Sequence, residues 1–272
     1  MIYDTTTVTN LMRKHTVSSI SQVKAFLKDI AAMMPSRKDD AKPITYIRFS
    51  GFGSRTDPEA MVKAAEESLA TMGIVKGDRK VLFFDGDFFH MGSFTWAVHS
   101  IWQSDPNNTV IIPVRGPHLE NHAKFFESWA GIPIYLLELT EDMRTEALKH
   151  VTELVGPDSS ARTSWGIADE KQRDYTKLGW WCIKNLPLDA IISLGGGETT
   201  GNEAKVYSAY KESDPESLIA PKWFVHTLDR AGPKEGDERQ KCDEFLVTFK
   251  MDMDAEIAKK NNKDGSESMP VD

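Results

Sequence analysis

The chain has 272 residues, a formal net charge of −8 and a pI near 5.5. This length is enough to bury a sizeable core in one large α/β domain. The acidic balance argues against a surface that coats DNA or RNA, because that binding draws on clustered Lys and Arg. The widely spaced Cys182 and Cys242 read as thiols in a reducing, cytoplasmic setting, and no apolar run has the length of a membrane span or a secretory signal.

In chain order, VSSISQVKAFLKDIAAMM has helical apolar spacing and PSRKDDAKP reads as a polar linker, which makes 1–43 an N-terminal helical extension. From Ile44 the pattern changes. Strand-like runs ITYIRFS, KVLFFDG, TVIIPVR, IPIYLLEL, LDAIISL and KWFVHTL alternate with amphipathic stretches, as expected of βαβ units. Several runs are almost wholly apolar, as strands covered on both faces should be. PEAMVKAAEESLATMG carries Asp57 and Pro58 at its start and Gly73 at its end, the stop signals of a helix. Further helices are predicted over Gly92–Gln103, Leu119–Ala130, Glu141–Leu154, Glu170–Asn185 and Gly201–Lys211. The expectation is a Rossmann-like open parallel sheet with helices on both faces, a single α/β domain over 44–249. The polar stretch 250–272 reads as a disordered tail.

Open parallel sheets bind ligands outside the carboxyl ends of their strands, where strand order reverses. Three predicted strand ends carry unusual residues. In SGFGSRTDPE, Ser50–Glu59, Gly51 and Gly53 permit a tight path, and Ser54 and Thr56 lie just before a helix start that favours an anion. In FDGDFFHMGS, Asp85 and Asp87 flank Gly86, and Met91 and Gly92 lead into the next helix. His90 reads as a packed side chain before a catalytic one, and His118 with His122 lacks a third metal ligand, so no metal or cofactor is expected. The third is GGGETTGNE, Gly195 to Glu203. Gly195, Gly196 and Gly197 admit a close backbone approach, Thr199 and Thr200 add hydroxyls, and the carboxylates of Glu198 and Glu203 suit a ribose better than a phosphate. This pattern is neither the P-loop nor the GxGxxG fingerprint. The loop GPDSSARTSWG, with Trp165, is a candidate lid.

The order of these motifs resembles the LONELY GUY family of cytokinin-nucleotide phosphoribohydrolases, also labelled lysine decarboxylase-like, and its wider nucleotide-binding superfamily. The family signature is PGGxGTxxE. In the same register Gly196, Gly197, Thr200 and Glu203 match, Gly195 replaces the proline and Thr199 replaces the third glycine. The family's GGGxxGxMG element resembles FDGDFFHMG, with Gly86, Met91 and Gly92 matching. TVIIPV and FSGFGSR resemble the family's strand ending in IP and its first loop, so the likeness runs over roughly Ile44 to Tyr210. It implies a small phosphate-bearing ligand, a nucleotide, held by Ser50, Gly51, Gly53, Ser54, Arg55, Gly86, Asp87, Met91, Gly92 and Gly195 to Thr200. Glu203 falls on the family's catalytic glutamate, and the catalytic arginine would be Arg173, with Arg162 more distant. The implied reaction is cleavage of the N-glycosidic bond of a nucleoside 5′-monophosphate, in a homo-oligomer. The same superfamily includes molybdenum-cofactor carriers and nucleotide sensors, so binding of a nucleotide or pterin phosphate without hydrolysis is the alternative.

Overall fold

A computed structural model describes residues 12–33, 44–51, 57–74, 80–85, 109–113, 134–155, 179–195, 198–213, 222–227 and 237–266. Seven strands are described: β1 (Met12–Val17), β2 (Ile44–Gly51), β3 (Lys80–Asp85), β4 (Thr109–Pro113), β5 (Ile134–Leu139), β6 (Ala190–Leu194) and β7 (Lys222–His226). With them stand α1 (Ile20–Met33), α2 (Pro58–Thr71), α3 (Glu141–Val155), α4 (Glu198–Ser213) and α5 (Asp237–Ser266), together with a helical segment at 179–185. Every described strand pair is parallel.

Five strands form one sheet in the order β4-β3-β2-β6-β7, and β1 pairs with β5, which in turn contacts β4. The order runs β2, β3, β4 to one side and β6, β7 to the other. The chain therefore reverses direction across the sheet at β2, the switch point of a Rossmann-like α/β domain. Each of the six strand expectations coincides with a described strand, because a parallel sheet buried on both faces selects continuous apolar runs. All five β6 residues are buried.

Alternation along β2 separates the two faces. Ile47 and Phe49 pair in register with Ala190 and Ile192 of β6, and all four have no exposed surface. This side packs against α2, whose Met61 and Ala65 are likewise fully buried. The opposite side carries Ile191, Trp223 and Val225 beneath Trp180 and Tyr207, with Phe249 and Met253 of α5 in the same cluster. Helices thus cover both faces. At the start of α2 the Asp57 side chain accepts from the Glu59 backbone N–H at 3.1 Å, with Pro58 in the first turn, as the sequence predicts.

Two regions differ from the sequence expectation. Residues 12–17, which carry no clear strand pattern, form β1 and pair with β5 along its whole length. Val23, Phe26, Leu27 and Ile30 of α1 then join the main core, so this segment is integral to the fold and not an appended helix. At the other end α5 runs to Ser266, well into the stretch whose polarity suggests disorder. Leu246, Phe249, Met253 and Ile257 recur at helical spacing on one buried face, and that packing outweighs the polar average.

Candidate functional site

β2 and β6 lie side by side with Ser50 opposite Ser193 and Gly51 opposite Leu194. Gly51, the last residue of β2, and Gly195, directly after β6, therefore lie at the same end of the sheet on neighbouring strands. Gly195 has φ 76°, a conformation that L side chains rarely adopt, and its N–H donates to the His226 carbonyl at 2.9 Å. Proline fits neither feature, having φ near −65° and no N–H. The glycine at the position of the family's proline is thus required by this backbone. α4 begins at Glu198, three residues earlier than the sequence spacing suggests, so Glu198, Thr199 and Thr200 form its first turn. The Thr200 side chain is buried.

Glu203 lies in the second turn of α4 and faces β2. Its Oε2 accepts from Arg48 Nη1 at 2.8 Å and its Oε1 from Arg48 Nη2 at 2.9 Å, a two-pronged pair. Arg48 is 3% exposed and Glu203 is 1% exposed. Burial pushes the Glu203 carboxyl up from its ordinary value, while the Arg48 charge and its hydrogen bonds pull the other way. A third element closes the pair in. A Cβ on Gly179 would stand 1.8 Å from Glu203 Oε1 and 2.8 Å from Arg48 Nη2, so any side chain at 179 would displace the pair.

Arg48 is the site residue that the sequence reading missed. Its signal is an arginine in the middle of ITYIRFS, a strand buried on both faces, where an unpaired charge is not tolerated. Arg173, expected beside Glu203, lies outside the described residues, as do Gly53, Ser54, Arg55, Gly86, Asp87, Met91, Gly92, Gly196 and Gly197. The histidines His90, His118 and His122 and the loop residue Trp165 also lie outside them.

Ser50 is brought to the switch point, but its hydroxyl is engaged inside the fold. It shares a hydrogen bond with Ser193 Oγ at 2.8 Å, and Ser193 Oγ accepts from Trp223 Nε1 at 2.7 Å. The three side chains tie β2, β6 and β7 together on the face that carries Arg48. On the other face Ser68 Oγ lies 2.6 Å from His226 Nε2, which joins α2 to the end of β7. Burial and the Lys250 charge lower the His226 pKa, against the opposing charges of Glu67 and Asp254.

A separate cleft of ≈ 440 Å³ lies among the 18–20 turn, α3 and the 179–185 segment, with Lys149, Lys184 and Glu146 in its lining. None of the residues singled out from the sequence lines it. Among the described residues no cluster of His, Cys, Asp and Glu has the make-up of a metal site, and no helix is long and apolar enough to cross a membrane.

No family model matches the chain, and no curated protein matches it. The functional reading therefore rests on the fold and on the residues at the switch point.

Proposed function

We propose that this protein binds a small phosphate-bearing ligand, a nucleotide, in the crevice at the carboxyl ends of β2 and β6. One observation carries the reading: strand order reverses at β2, and Gly51 at the end of β2 and Gly195 directly after β6 stand at the same end of the sheet on neighbouring strands. The amino end of α4 opens at the same place, and its first backbone N–H groups favour an anion. The acidic net charge fits a local contact of this kind better than a nucleic-acid surface.

Binding without hydrolysis is the form of the reading that the described geometry favours. Both Glu203 oxygens are taken by Arg48, and the carboxylate is almost wholly enclosed. In this role the pair fixes α4 against β2 so that the helix opens at a constant height above the sheet. Hydrolysis of an N-glycosidic bond is the second reading, favoured by one specific observation: the glutamate in the register of the family's catalytic residue does meet an arginine, Arg48. A buried carboxylate beside a sugar can stabilise an oxocarbenium-like centre.

Two measurements test these readings. A carrier or sensor is stabilised by AMP, by an ADP-ribose-type nucleotide or by a pterin phosphate. At a ligand concentration of 100 Kd the gain is about 2.7 kcal/mol. Absence of any thermal shift at millimolar ligand sinks the binding reading. Release of free base from a panel of nucleoside monophosphates supports the hydrolytic one, and turnover unchanged in Glu203→Ala removes Glu203 from it.

A further inference from the structure

Asn202, in the second turn of α4, is 1% exposed, and neither its Nδ2 nor its Oδ1 has a hydrogen-bond partner among the described residues. Its neighbour Glu203 is buried just as deeply but is fully paired with Arg48. A buried amide with both halves unpaired costs free energy that a fold ordinarily avoids, and such a group calls for a specific explanation. Side chains on a helix lean toward its amino end and cover the turn before their own Cα. That lean directs the Asn202 side chain toward the opening turn of α4, the turn that follows Gly195 in the chain.

We propose that Asn202 is a ligand-reading residue, whose amide donates to and accepts from the neutral part of the ligand held at this corner. The inference rests on the phosphate-ligand reading above and adds which part of the ligand is read. The donor and acceptor inventory decides the chemistry. A phosphate dianion offers acceptors only, so it satisfies Nδ2 and leaves Oδ1 unpaired. A group that both donates and accepts satisfies the two atoms together. In a nucleotide this is a ribose hydroxyl or the edge of a base, the kind of edge that an asparagine amide matches in two-pronged fashion.

The test uses the full chain and three probes: AMP, ribose 5-phosphate and inorganic phosphate, each titrated against wild type, Asn202→Leu and Asn202→Ala. Both variants are expected to lose at least about tenfold in AMP affinity while inorganic phosphate binds as before. The leucine variant without ligand is expected to melt above wild type, because it removes an unpaired amide at similar volume. If ribose 5-phosphate weakens in parallel with AMP, the amide reads a sugar hydroxyl; if AMP alone weakens, it reads the base edge. Wild-type AMP affinity in the alanine variant overturns the proposal, whether or not the leucine variant folds. So does a fall in melting temperature of about 6 °C or more in both variants without ligand, which shows the amide to be paired within the fold. If wild type binds none of the three probes, the phosphate-ligand reading itself fails, an outcome distinct from a failure confined to the variants.

Discussion

Arg48 on β2 and Glu203 on α4, 155 residues apart in sequence, meet in a two-pronged pair at 2.8 and 2.9 Å, enclosed by the sheet, α4 and Gly179. Removing one member leaves the other charge buried without its partner. Arg48→Met or Glu203→Leu alone should therefore cost about 3–5 kcal/mol. The double variant removes both charges at once and should lie closer to wild type than either single change. Urea midpoints of the four proteins measure this, and two additive single losses would contradict the coupling.

Gly179→Ala tests the close approach at the same place. In an exposed helix the change to alanine would stabilise by up to about 1 kcal/mol. Here the new methyl group meets Glu203 Oε1 at 1.8 Å, so the pair must move and a net loss of about 1–3 kcal/mol is expected. The sign of the change in unfolding free energy decides between the two effects.

Ser193 links Ser50 and Trp223 through a single hydroxyl. Ser193→Ala leaves the indole N–H without its acceptor in a buried place and should cost about 1–3 kcal/mol. Restoring a hydroxyl with Ser193→Thr should recover part of that loss in the same denaturant titration.

Tyr207 behaves in the opposite way. Its hydroxyl is buried with no hydrogen-bond partner among the described residues, and burial pushes its pKa up to about 12. Tyr207→Phe keeps the ring against Trp223 and Phe249, at centroid distances of 5.2 and 6.2 Å, and discards only the unpaired group. Its stability should equal or exceed that of wild type. Ultraviolet titration should also show one fewer tyrosine ionising at the alkaline extreme.

The His226–Ser68 contact gives stability a pH dependence. The folded imidazole holds its proton less readily than the unfolded one, so the contribution is fully present above the ordinary histidine value of 6.5 and is lost as pH falls through the lowered folded value. Urea midpoints of wild type should therefore fall on acidification across this range more steeply than those of His226→Asn. Parallel profiles would remove His226 as the source.

Much of the fold is legible in the sequence because a doubly covered parallel sheet demands continuous apolar runs such as AIISL, and because Asp57, Pro58 and Gly73 mark the ends of their helix with local chemistry. The glycine-rich corner is legible in part: glycine at 195 suits the positive φ found there, whereas its N–H bond to the His226 carbonyl and the early start of α4 are not read from the local pattern. By contrast, β1 depends on a partner strand far along the chain, and the extent of α5 depends on apolar positions that meet a sheet face elsewhere.

The amino-acid sequence by itself determined the alternation of elements, the covered strands and the place of the glycine-rich corner, all of which follow from short-range pattern and backbone chemistry. Only the tertiary structure decided that Glu203 pairs with Arg48, that Gly179 lies against that pair and that the Asn202 amide is buried without a partner among the described residues. The reason is physical: a charge or an amide acquires its role from what surrounds it after burial, and those surroundings are assembled from strands and helices remote from one another in the chain.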